Sequence, residues 1–102
     1  MRLVWTRRAR DDLTDIALFI ARDKPDAAFS WVERLEKRAE AILNAPRSYR
    51  MVPELERDDI REVLTGNYRT IFKIEKDRVV VLTVFEGHEL LDAAAVDVEN
   101  EE

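Results

Sequence analysis

Cysteine is absent from this chain, histidine occurs once, and its 102 residues include only 2 glycines and 3 prolines. Without a thiol there is neither a disulfide nor a thiolate nucleophile, and one histidine does not build a histidine-based metal centre. No metal and no cofactor are expected. So little glycine and proline argues against a low-complexity or linker-rich chain. No apolar run approaches the roughly 20 residues that span a bilayer. Met1-Arg2-Leu3-Val4-Trp5 leads straight into charge rather than into the apolar segment of a signal peptide. The expectation is a cytoplasmic protein with no membrane partner.

What the chain does hold is charge, unevenly placed. Residues 1–50 carry 11 Lys and Arg against 8 Asp and Glu, a balance of +3, whereas residues 51–102 carry 6 against 14, a balance of −8; together these make the net −5. That total argues against general affinity for nucleic acid. Arg2, Arg7, Arg8 and Arg10 form a local basic cluster that could meet phosphate, although a solvated surface is the simpler reading. The length suits one domain with one core, taken as residues 1–98, followed by a disordered acidic tail over 99–102.

The organising signal lies between Ile60 and Leu91. Ile60–Thr65, then Gly66-Asn67, then Tyr68–Glu75 reads as a hairpin, because glycine first in a two-residue loop suits a type II′ turn. Lys76-Asp77 returns the chain into Arg78–Phe85. Two-residue loops pair Thr65 with Tyr68 and Glu75 with Arg78, and that register separates two faces. Val63, Tyr68, Phe72, Ile74, Val79, Val81 and Phe85 make a core face suited to helices. The opposite face collects Ile60, Leu64, Ile71, Val80, Leu82 and Val84 among Glu62, Arg69, Lys73, Glu75, Arg78 and Glu86. It is either a second packing surface or a floor for a partner, and so short a chain favours the partner.

Ahead of the hairpins, Arg2–Trp5 is strand-like and Thr6 is a helix cap. Leu13, Ile16, Ala17 and Ile20 follow the spacing of one helical face, giving a helix over about Arg7–Arg22. Pro25 opens a second helix, whose apolar face is Ala28, Trp31, Val32, Leu35, Ala39, Ile42 and Leu43. It ends near Asn44, because Pro46 disfavours helical geometry at Ala45. Residues 47–59 are irregular, with Met51, Pro53 and Leu55 as anchor points. The fold expected is α+β in the order βααβββ, a two-helix hairpin packed on one face of a small, mainly antiparallel sheet. The place of the first strand in that sheet is left open.

These residues carry a resemblance. Trp5-Thr6-Arg7-Arg8-Ala9 ahead of a helix with Asp12-Leu13 and Ile16, Pro25 with Ala27-Ala28, Pro46, Val52-Pro53-Glu54-Leu55, Ile60-Arg61-Glu62, Tyr68-Arg69 and Val81-Leu82-Thr83-Val84 resemble, in order and spacing, the RelE/ParE toxin superfamily. The Pro-Glu-Leu, Ile-Arg-Glu and Tyr-Arg pieces tilt toward its ParE branch. The resemblance implies the toxin of a type II toxin–antitoxin pair, neutralised by a ParD-like or related antitoxin and inhibiting growth by poisoning DNA gyrase. The RelE branch implies instead a ribosome-dependent messenger RNA endoribonuclease, with the ribosome and mRNA as partners. An inactive homologue that only binds antitoxin is the third reading.

Metal-free RNA cleavage needs a group to activate the 2′-hydroxyl, cations at the phosphate and an acid for the leaving oxygen. Arg61, Arg69 and His88 are the candidates for those roles. Glu86-Gly87-His88-Glu89 departs from the resembled pattern, which has His-Gly followed by basic residues, and its carboxylates would repel phosphate. The residues therefore favour a protein that acts by contact over an enzyme. Arg61, Arg69, Glu86, His88 and Leu90 are the candidates for target binding, expected as one surface at one end of the sheet. Leu64, Ile71, Val80, Leu82 and Val84 are the candidates for antitoxin binding. The simpler readings are that Arg61 reaches solvent past the sheet edge or pairs with Glu54 or Glu56, Arg69 pairs with Glu62 within the sheet, His88 is a turn residue, and Trp5 and Trp31 pack.

Overall fold

The computed structural model describes residues 1–97; the end of the expected domain at residue 98 and the expected disordered tail over 99–102 lie outside them. Strand β1 (Arg2–Trp5) leads into α1 (Arg7–Ala21) and α2 (Pro25–Ala41), followed by β2 (Arg50–Met51), β3 (Ile60–Thr65), β4 (Tyr68–Ile74) and β5 (Arg78–Glu86). The sheet order is β1-β5-β4-β3-β2. The first strand lies at the edge, parallel to β5, while the other pairings are antiparallel. This is the α+β arrangement the sequence leads one to expect, with one additional strand.

Thr6 caps α1 as its sequence position suggests, its hydroxyl accepting from the Ala9 amide at 3.0 Å and donating to the Leu82 carbonyl at 3.1 Å. The cap therefore also fastens the helix to β5. Asp12 adds a second fastening: its carboxylate accepts from the Thr83 hydroxyl and, at 3.0 Å, from the Val84 amide. Pro25 sits in the first turn of α2, which ends as an α-helix at Ala41 and tightens into a 3-10 turn through Asn44. Ala9, Leu13, Leu35, Ala39 and Ile42 of the helical layer bury against Val63, Phe72, Val79, Val81 and Val84 of the sheet.

The hairpin register is as expected, Thr65 opposite Tyr68 and Ile74 opposite Val79. One irregularity changes the faces. Phe72 pairs with Val81 but Ile71 pairs with Thr83, so Leu82 is an extra residue in β5. A bulge of one residue inverts the side-chain alternation beyond it. Val84, expected on the floor, lies in the helix-side core, and Phe85, expected in the core, packs on the opposite face.

That opposite face is not open. Val52, Ile60, Ile71, Val80, Leu82 and Val96 form a second buried cluster, flanked by Leu55, Phe85 and Leu91. The chain covers its own floor with the loop after β2 and the segment after β5, so of the two readings the second packing surface holds and the favoured one, a floor covered by a partner, is corrected. The anchors within 47–59 also differ. Val52 is fully buried and Leu55 half-buried, whereas Met51 and Pro53 are exposed. Two residues are too few for β2 to show an alternating pattern, which is why the strand escaped the sequence reading.

Candidate functional site: the hairpin-end cleft

Gly66 adopts φ +57°, and no residue of the following turn position has positive φ, as a type II′ turn requires. A Cβ on Gly66 would lie 2.5 Å from Cη2 of Trp31. The turn is thus seated directly on α2, and Trp31 meets the ring of Tyr68 edge-on at 5.4 Å. The Gly87 amide donates to the Asn67 carbonyl at 2.6 Å, carrying the β4–β5 pairing one step past the strand ends. These local constraints shape an open cleft of about 440 Å3 at the hairpin end, lined by Arg50, Leu64, Tyr68, Arg69, Glu86 and His88 among others.

Arg69 dominates the cleft's electrostatics. Its Nε donates to Glu62 at 2.7 Å, and its two terminal nitrogens donate to the two carboxylate oxygens of Glu54 at 2.9 and 2.8 Å. The guanidinium also lies 5.0 Å from the centre of the Phe85 ring. Glu62, whose side chain is 0% exposed, pairs through its other oxygen with Arg50. Glu54 further accepts from the Leu91 amide at 3.4 Å. The result is a continuous chain of charge from β2 through β3 and β4 to the covering loop and the segment after β5.

Its effect on protonation follows from the geometry. Hydrogen bonding from Arg69 holds the Glu54 carboxyl down at about 2, and the same bonds to Glu54 and Glu62 push the Arg69 guanidinium further up. The expected Arg69–Glu62 pair is present, but it is buried and joined by Glu54, so it is more than a solvated surface contact. With its donors engaged by two carboxylates, Arg69 keeps its charge but has it balanced and occupied, leaving none free to meet a phosphate.

The other candidates separate. Arg61 stands opposite Phe72, three positions along β3 from Leu64, or about 10 Å at strand rise. It donates to the carbonyls of Arg47, Tyr49 and Asp58, and to the Asp58 carboxylate at 2.6 Å. Arg61 clamps the loop before β3 rather than sharing a surface with Arg69, and its partner is Asp58 rather than Glu54 or Glu56. His88 is well exposed, with Nδ1 3.7 Å from Glu86. Burial, followed by the charge of Glu86, pushes the Tyr68 phenol up. Among the described residues Leu90 is the most exposed large apolar residue, at 85%.

Among the floor candidates, Ile71, Val80 and Leu82 are buried beneath the chain's own segments, and Val84 lies on the helix side. Only Leu64, 46% exposed, presents surface to another molecule. Sequence reasoning missed Arg50 in the cleft and did not assign Glu54 to Arg69. The residues linking them lie in a loop without periodicity, so no pattern could align Glu54 with β4.

Comparisons with known proteins bear on this arrangement. A family model described as "ParE toxin of type II toxin-antitoxin system, parDE" matches residues 3–91. A solved structure from P. aeruginosa, described as a chromosomal ParDE TA system, aligns at TM-score 0.73 with 19% identity, over 84% of this chain and 95% of that one. At that identity the likeness concerns the fold. No curated protein sequence matches. A family match running from β1 to the segment after β5, on the α+β scaffold that builds the cleft, shows that this chain belongs to the ParE toxin family of type II toxin–antitoxin systems.

Proposed function

We propose that this toxin inhibits growth through a protein contact with DNA gyrase, made at the hairpin-end cleft, and that a cognate ParD-like antitoxin neutralises it. The observation that carries the reading is the engagement of Arg69 by Glu54 and Glu62. Phosphoryl-transfer chemistry on RNA needs a cation free to stabilise developing charge. Here Arg69 is held by carboxylates, Arg61 is spent on backbone carbonyls, and His88 stands beside Glu86. Family membership supports an antitoxin partner, and the neighbouring solved structure is itself described as a ParDE system.

Glu86, His88 and Leu90 supply the target-binding surface, with Arg69 shaping it from below. Arg61 contributes by holding the loop. For the antitoxin, Leu64 is the contact of its candidate set, since Ile71, Val80 and Leu82 lie beneath the chain's own segments and Val84 in the helix-side core. The test is a purified gyrase supercoiling assay with and without antitoxin, alongside a ribosome-bound message cleavage assay. Inhibition of supercoiling that antitoxin relieves is the expected result. Normal supercoiling at large toxin excess with cut messages would establish the ribonuclease alternative. Neither effect, with antitoxin binding intact, would leave a binding module only.

A further inference from the structure

On the helical side of Tyr68 and Glu86 lies a second concavity, formed where α1 passes the end of β5. It encloses about 240 Å3 and is lined by Asp15, Ile16, Phe19, Tyr68, Glu86 and Glu89. Its lining combines the apolar and aromatic Ile16, Phe19 and Tyr68 with three carboxylates and holds no Lys, Arg or His. We propose that this niche is a docking site for a basic protein segment, receiving an arginine or lysine side chain whose stem lies on Phe19 and Tyr68 while its charge meets Asp15, Glu86 and Glu89. The proposal goes beyond the gyrase reading and does not depend on which protein the toxin targets.

Several observations converge on that occupant. Phe19 is 65% exposed despite being a large apolar side chain next to Ile16, which is half-buried against the core. An exposed aromatic ring beside unopposed carboxylates offers both contacts that a long cationic side chain makes. Among the described residues, the only charge partner of Glu86 is His88, at 3.7 Å, and none pairs with Asp15 or Glu89. Three carboxylates facing one concavity repel one another, so a cation entering it relieves repulsion as well as gaining attraction. The carboxylates are not grouped to hold a metal ion, as no described cluster has that geometry. The volume is below the roughly 300–1,000 Å3 of small-molecule pockets and suits one long side chain. Cation–π contact with Phe19 and Tyr68 selects arginine or lysine over a small cation. Because burial and Glu86 push the Tyr68 phenol up, its ring is neutral at physiological pH.

The probe is a fluorescein-labelled nine-residue peptide alternating arginine and serine, titrated with the full chain by fluorescence anisotropy, with the matching glutamate peptide as comparison. Binding of the arginine peptide alone, weakening as salt rises, is expected. Phe19→Ala and Glu89→Gln should each weaken it by about three- to tenfold, and Asp15→Asn with Glu89→Gln by more than about tenfold. Asp26→Asn with Glu40→Gln removes the same charge from exposed positions of α2 outside the niche and should leave affinity unchanged. All these side chains are exposed, and thermal melts check that the variants fold. Failure of the wild type to bind would overturn the proposal. So would an equal loss in the α2 pair, which means long-range charge alone, or an unchanged affinity in Phe19→Ala.

Discussion

Replacing Arg69 by alanine tests the charge network most directly, because it orphans a carboxylate that water cannot reach. Glu62 is 0% exposed and would keep only Arg50, whose side chain is 56% exposed. Removing one partner of a buried ion pair costs about 3–5 kcal/mol. The surviving Arg50 contact places the loss at the lower end, near about 3 kcal/mol, with lost packing over Phe85 adding under about 1 kcal/mol. In a domain of this size that lowers Tm by about 12–24 °C. Circular dichroism through thermal and urea unfolding at pH 7 provides the measurement. Glu54 adds a pH signature. Its folded value of about 2 lies below the ordinary 4.5, so its contribution is present above pH 4.5 and disappears as pH falls toward 2. Solvent at a side chain 30% exposed screens that contribution to about 1 kcal/mol. Arg69→Ala lacks that contribution, so the gap between wild type and variant narrows by about the same 1 kcal/mol below pH 4.5. Arg69→Met combined with Glu62→Leu and Glu54→Gln, which leaves no buried charge unpaired and only the 56% exposed Arg50 without its carboxylate, should regain most of the stability. A single variant melting within about 3 °C of wild type would refute the reasoning and return Arg69 to the pool of free cations.

Gly66→Ala combines a left-handed backbone with a Cβ 2.5 Å from Trp31, and should cost about 2–3 kcal/mol and alter the near-ultraviolet signal of the tryptophans. Leu82→Asp puts a charge at a position 1% exposed and should abolish the folded far-ultraviolet spectrum, whereas Leu64→Asp, at a position 46% exposed, should change stability by under about 0.5 kcal/mol. Leu64→Asp is therefore the variant with which antitoxin capture can be measured on an intact fold. Asp12→Ala leaves the Thr83 hydroxyl and Val84 amide without their acceptor and should cost about 1–3 kcal/mol, read by urea unfolding.

What short-range physics governs is legible in the residues: the helix cap at Thr6, the start of α2 at Pro25, the Gly66-Asn67 turn and the pairing of Thr65 with Tyr68. Each depends on a residue and its near neighbours, or on a period that repeats. The family resemblance was legible for the same reason, since it rests on the order and spacing of such local pieces. Packing between distant segments settled the remainder. The bulge at Leu82 exchanged the faces of Val84 and Phe85, because one inserted residue leaves apolar composition unchanged while inverting the alternation. The covering of the second face by Val52, Leu55, Leu91 and Val96, and the capture of Arg69 by Glu54, join residues far apart in the chain through segments without period. Whether a charged side chain is a free reagent or a structural tie depends on what a distant loop brings to it, and that is set when the core closes.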